Sequence, residues 1–330
     1  MKWDAPLNQY PLECGANYGG CKMIKDRNIA WDAAINPMKI LGAGMEPNYG
    51  GDTFYVCKAS LTNTYNYLSG KVPGDRIFTS IAEADAAMTD NVNDRCLIMA
   101  GHTESSAVEI ALTTVGAEFI GLGRGPLRPT FTTTGEVNAI SLDGNYQTIA
   151  NIGFAVPGID TVPADIDVVG AGCQILNTYH LGSTSGKNKV DIITLTATAN
   201  DTLISGLRAY NTTVEQTGGI INIEGACSRI EIANCFNFDS IGMALGAIYD
   251  GATALEAYIH DCAFMNAKAG TVVVEFGNNT TGIMMDCFVV GRHTTIMSNI
   301  TPGSGMNFFN VKGVEEAAKN AISIPADDAE

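Results

Sequence analysis

At 330 residues and 46% apolar, the chain can bury a large core, while a net charge of −16 leaves no broad cationic face for nucleic acid or an anionic membrane. Only 16% of residues are charged, against roughly 25% in an average domain. Gly, Thr, Asn and Ser fill the difference, which describes a turn-rich β protein and excludes a helical one.

No run approaches about 18 uninterrupted apolar residues, so no membrane-spanning helix is expected. The nine cysteines have neither CxxC nor Cys/His ligand spacing, so reduced thiols are expected, and no metal or cofactor. The opening MKWDAPLNQY has no apolar run, which reads as a protein without a secretory leader, made in a cytoplasm.

Residues 1–52 show no sustained period. They combine Trp3, Tyr10, Tyr18, Trp31 and Tyr49 with four prolines and recurrent glycines. We read an extended arm whose aromatic side chains need a surface, either the chain's own body or a neighbouring subunit. Within it, Cys14 and Cys21 are the pair to examine for a bond.

Residues 53–95 form an entry segment. A strand is expected at 53–57 and a short helix at 79–89. Ser80 serves as N-cap there, Glu83 closes a capping box, and Ile81, Ala84 and Met88 share one face. Such a helix would plug the open end of the domain beyond it and cover the first unpaired strands.

Residues 96–312 carry a repeat. From Cys96 to Val311 the chain reads apolar, any residue, then Gly/Asn/Asp, then apolar or small. The third position falls at Gly121, Asn151, Asn177, Gly206, Asn234, Asp261, Asp286 and Asn310, at intervals of 30, 26, 29, 28, 27, 25 and 24 residues. Each interval suits one coil of three short strands, stacked on the next at about 4.8 Å. The third residue makes a bend needing φ > 0, which Gly, Asn and Asp tolerate. Residues two before and one after it point inward, and an Asn side chain can bond to its equivalent one coil away. The fold class expected is therefore all-β: a right-handed parallel β-helix of about eight coils over residues 96–312, with a short N-terminal capping helix and an extended N-terminal arm. Residues 313–330 would close it with a short helix near 314–322 and an acidic tail.

The segment Gly74-Asp-Arg-Ile-Phe-Thr-Ser-Ile-Ala-Glu-Ala84, followed by Arg95-Cys-Leu-Ile-Met-Ala-Gly-His-Thr-Glu104 and Gly116-Ala-Glu-Phe-Ile-Gly-Leu-Gly123, resembles the entry to pectate-lyase-like right-handed β-helices. Its flavour is similar to uncharacterised β-helix virion proteins of tailed phages. The resemblance covers roughly residues 72–310 and is specific for fold rather than function.

Within that resemblance, the steps marking polygalacturonases (Asn-Thr-Asp, Asp-Asp, Gly-His-Gly, Arg-Ile-Lys) do not occur together, and the basic residue of pectate lyases has no convincing counterpart. The best carboxylate pair is Asp165-x-Asp167, which alternation would place on one face; it reads first as an ordinary solvated loop, with a calcium-ligand pair as the alternative. Gly121-Leu-Gly-Arg-Gly125 has a phosphate-loop look, but Pro126 and Pro129 remove the helix such a loop requires, so it reads as a turn. His102, His180, His260 and His293 fall on separate coils. Cys235, Cys262 and Cys287 share the column after the bend and read as a buried thiol ladder.

The resemblance and the missing motifs imply a non-enzymatic structural protein of a phage particle, assembled in the host cytoplasm. On this reading it decorates the capsid surface as a cement protein, its partners being the major capsid protein or other virion proteins, with a homo-oligomer such as a trimer in view. The alternatives are a tailspike or receptor-binding protein that binds or cleaves host surface polysaccharide, and an outright polysaccharide lyase or hydrolase.

Overall fold

The computed structural model describes residues 51–251, 255–292, 299–315 and 321–324; the arm aromatics, Cys14, Cys21 and His293 lie outside them. The chain folds as a parallel β-solenoid of eight full turns, each contributing one strand to each of three sheets. In the first turn the strands are Arg95–Ile98, Thr103–Ser106 and Ile110–Leu112, and the eighth closes with Ile300–Thr301. We call the sheets one, two and three in that order. Pairing is parallel from coil to coil and in register except at one shift between Cys227 and Ile230; Cys96, Phe119 and Ile149, for example, stand directly above one another.

The interior is one continuous apolar cluster. The residues two before each bend (Phe119, Ile149, Ile175, Ile204, Ile232, Ile259, Met284 and Phe308) are all buried in it. The residues after the bend (Ile152, Thr178, Leu207, Cys235, Cys262, Cys287 and Val311) are buried too. Seven of the eight bend residues have φ between +51° and +72°: Asn151, Asn177, Gly206, Asn234, Asp261, Asp286 and Asn310. Each ends a sheet-one strand and turns the chain within one residue into sheet two.

Gly121 departs from the ladder. It lies inside the strand Glu118–Gly121, and the chain reaches sheet two only at Thr130, through a loop holding a 3-10 turn at Gly125–Leu127. With no tight bend there, Leu122 is only half-buried. Gly121 serves a different need, because a Cβ on it would stand 2.3 Å from the Asn151 carbonyl oxygen. Asn side chains do bridge coils in places: Asn310 Nδ2 donates to Asp286 Oδ1 at 2.6 Å, and Asn151 Nδ2 to the Gly121 and Gly123 carbonyls at 2.7 and 3.0 Å.

Among the described residues two helices precede the first coil. Helix α1, Thr62–Ser69, buries only Leu68 and carries no periodic signal. Helix α2, Ile81–Ala87, is the expected plug, with the Ser80/Glu83 capping box formed. Ile81 and Ala84 join the core, and Met88, just past the helix, packs against it. Polar clamps hold α2 on the first coil. Buried Asp85 accepts from the Thr113 and Thr114 amides at 2.9 and 3.2 Å, and Glu104 accepts from the Ile81 amide at 3.1 Å. Strands Thr53–Val56 and Ile77–Phe78 extend sheet one beyond the first coil.

At the other end the described residues of the segment expected as a helix near 314–322 are strand, and residues 316–320 lie outside the described residues. Residues Val311–Glu315 form a strand, and Ala321–Ile324 pairs with it antiparallel. An antiparallel strand saturates the N–H and C=O groups of the last parallel strand, which a helix packed on the same edge would leave open.

Candidate functional site

The outer faces of the three sheets differ sharply. On sheet two the outward residues are those two and four places after each bend. One row runs Tyr179, Arg208, Phe236, Ala263, Phe288, Lys312 in unbroken register. Beside it stand Leu181, Tyr210, Phe238, Met265 and Val290. Phe238, Phe288 and Leu181 are 40%, 38% and 36% exposed. The rings touch along the rod, Tyr179 to Tyr210 at 5.3 Å and Tyr210 to Phe236 at 6.1 Å. Arg128 lies over Tyr179 and Arg208 over Phe236, at 5.5 and 5.6 Å from the centroids. From Thr103 to Lys312, none of the outward positions on these strands is Asp or Glu, in a chain with 35 of them. An apolar strip edged by cations and free of carboxylates is a contact surface in its chemistry.

Sheet three presents the opposite character. Its outer row reads Ala111, Ser141, Asp167, Thr194, Asn222, Tyr249, Glu275, Thr301, and Ser141, Thr194 and Asn222 are largely shielded from solvent. Burial, then the neighbouring carboxylates of Glu109, Glu224 and Asp143, push the Asp167 carboxyl up to about 6. A folded pKa above the ordinary 3.8 means that this group's stabilising contribution is complete below 3.8 and is lost as pH rises through 6. Asp167→Asn is therefore expected to be more stable than the parent at pH 8, by about 1 kcal/mol after allowance for solvent screening. The gain should vanish by about pH 4, as urea midpoints across that range would show.

Asp165 and Asp167 do not meet as a cation pair. Asp165 turns away into a sealed cluster, where its Oδ2 accepts from Lys189 Nζ at 2.7 Å and lies 2.8 Å from His180 Nδ1. His180 Nε2 is 3.0 Å from Thr178 Oγ1, and its ring stacks on Phe154 at 4.8 Å. All three side chains are at most 3% exposed. Burial holds the His180 and Lys189 pKa values below their ordinary ones, opposed by Asp165. With no opening to solvent, the cluster ties the third coil to the fourth and has no access to substrate.

The other histidines are equally specific. His102 Nδ1 accepts from the Lys58 amide at 3.1 Å, so its Nε2 carries the proton and donates to Glu104 at 3.2 Å. The imidazole thus links the entry strand to the carboxylate that holds α2. His260 is on the outer face of sheet one, between Asp261 and Glu231 at 2.8 and 3.3 Å. Desolvation lowers its pKa, but the hydrogen bonds and charges of those two carboxylates together hold it above its ordinary value.

Cys235, Cys262 and Cys287 form the buried column expected, each within 3% of full burial. The Cys235 amide donates to Cys262 Sγ at 3.4 Å. Cys57, Cys96, Cys173 and Cys227 are also free and buried; burial pushes the Cys173 and Cys227 thiols up to about 11, the charge of Asp250 adding to the second. Among the described residues no group of three or more His, Cys, Asp or Glu side chains is placed to hold a metal ion. No helix among them is long and apolar enough to cross a membrane.

These features define a class: a mostly β protein, a parallel β-solenoid of about eight turns with few helices near its N-terminus, presenting one carboxylate-free apolar face. No family profile matches the chain, and no curated protein does. Among solved structures it resembles the Geobacillus virus E2 protein ORF18, with a TM-score of 0.31 and 10% identity over 78% of this chain and 64% of that one. The chain thus spans slightly less than two thirds of that protein's length.

Proposed function

We propose that the protein is a non-enzymatic structural component of a phage particle that decorates the outside of the capsid as a cement protein. The observation that carries this reading is the outer face of sheet two. Five successive coils present large apolar side chains there, with Arg128, Arg208 and Lys312 among them and no carboxylate, on a molecule whose net charge is −16. The like net charge of copies keeps them apart at long range, while the apolar, cation-edged strip can be buried against a partner offering apolar and acidic groups. The regular solenoid supplies rigidity, so little ordering entropy opposes binding. Many copies on a shell reinforce weak individual contacts. The aromatic residues of the arm, Trp3, Tyr10, Tyr18, Trp31 and Tyr49, fit the same role as a strap over neighbouring subunits. The pectate-lyase-like resemblance read from residues 72–310 belongs to this reading as well.

Adding the purified protein to undecorated capsids should raise their melting temperature. Phe238→Glu combined with Phe288→Glu should abolish the shift while leaving the solenoid folded, since both side chains are well exposed. No binding by the parent protein, or equal binding by the double variant, would overturn the proposal.

A further inference from the structure

Two arginines on the outer face of sheet two differ from those elsewhere on the solenoid. Arg76, Arg95 and Arg229 each lie on a carboxylate, those of Asp52, Glu118 and Asp201. Arg128 and Arg208 have no ion-pair partner among the described residues, in a chain with 35 Asp and Glu. Their places in the fold keep them so. Arg128 leaves the loop before the strand Thr130–Thr133 and crosses Gly153, where a Cβ would stand 3.5 Å from Arg128 Cδ. Its guanidinium reaches over Tyr179, the in-register neighbour of Gly153 on the next coil. Arg208 is the next residue in that row and lies over Phe236.

A guanidinium held against a ring gives up side-chain freedom before any ligand arrives and still offers its N–H edge for hydrogen bonds. Arg128 is half-buried, and its Nε is sequestered without a hydrogen-bond partner among the described residues. A cation so placed, with no counter-charge beside it, carries a desolvation cost that an anion at its terminal nitrogens offsets. Arg208 is exposed. The two groups stand about two coils apart, roughly 10 Å at the strand-pairing distance, and bracket the rings of Tyr179 and Tyr210.

We propose that Arg128 and Arg208 form a carboxylate-recognition site, and that its ligand is an acidic polypeptide segment with apolar residues between its Asp or Glu side chains. This site rests on the same reading of sheet two as a docking face, and it fixes what the partner presents there. The planar fork of each guanidinium matches the two oxygens of a carboxylate. Beyond Arg208 the face continues as Phe236, Phe238, Met265, Phe288 and Val290, whose side chains hold no N–H or O–H donor and no oxygen acceptor. Sugar hydroxyls or phosphodiesters would lose water there without replacement, whereas the apolar side chains of a polypeptide gain by burial against the same rings. A net charge of −16 opposes a polyanion of high charge density far more than a segment with a few carboxylates.

The test is titration of the full chain with short capped peptides alternating Glu and Leu, beside the same peptides with Gln in place of Glu, inorganic polyphosphate and oligogalacturonate. The glutamate peptide should bind about tenfold or more tighter than its glutamine counterpart. Arg208→Gln, at an exposed position that the fold does not need, should erase most of that preference. Arg128→Lys, which keeps the charge and loses the fork, should reduce it, and Arg229→Gln on sheet one should leave it intact. Equal binding of the two peptides, a preference that survives both Arg208→Gln and Arg128→Lys, or tighter binding of polyphosphate or oligogalacturonate than of the glutamate peptide would overturn the proposal. A capsid melting shift without the glutamate preference would remove this site and leave the docking reading standing; the preference without a capsid shift would do the reverse.

Discussion

Asp165→Ala should destabilise the protein by about 3–5 kcal/mol, the largest single-site effect outside the apolar core. Asp165 is the shared partner of Lys189 and His180, at 2.7 and 2.8 Å, and Lys189 is fully sequestered. Removing the carboxylate leaves an ammonium without its counter-charge in a medium that cannot solvate it. The loss is one of broken compensation rather than of intrinsic worth, and that distinction can be measured. Replacing both ends together, Asp165→Leu with Lys189→Met, removes the charge and its partner at once. The double variant should come back to within about 1–2 kcal/mol of the parent, or exceed it. Urea unfolding of the two variants decides the matter. A small effect of Asp165→Ala alone would mean that solvent reaches the cluster.

Phe119→Ala should cost a similar amount, about 3–5 kcal/mol, but with a different spatial signature. Phe119 is fully buried between Cys96 of the coil before and Ile149 of the coil after. In a solenoid each coil contacts chiefly its neighbours, so a cavity in one coil weakens two interfaces and leaves distant ones untouched. Amide exchange should therefore rise in the first three coils and in α2, while the coils around Ile232 and Ile259 keep their protection. Uniform loss of protection along the rod would instead mean that the solenoid unfolds as a single unit.

The bends are legible in the sequence because left-handed backbone restricts residue type: Asn234, Asp261 and Asn310 stand where few others are tolerated. The inward positions follow from their distance to the bend. Gly121 fits the same pattern for another reason, since close approach of the Asn151 carbonyl also demands glycine, and sequence does not separate the two needs. The Asp165–His180–Lys189 cluster joins residues 15 and 24 apart on two different sheets, so it emerges only once every strand is in register. Helix α1 has a single buried residue and thus no stripe to read.

The sheet-two face was within reach. Residues two and four after each bend spell Tyr179/Leu181, Arg208/Tyr210, Phe236/Phe238, Ala263/Met265 and Phe288/Val290. Alternation from the bend sends these outward, and their lack of carboxylates is visible without coordinates. The register shift on sheet one between Cys227 and Ile230 was not, because it moves the frame by one residue and no composition marks it.

The measurement that tests the central claim most directly is a cryo-electron reconstruction of the native particle, searched for this solenoid. The account predicts rods on the outer capsid surface, with Phe238 and Phe288 of sheet two turned toward the shell. Density confined to the tail tip, or rods on the capsid that present sheet two to solvent, would contradict it.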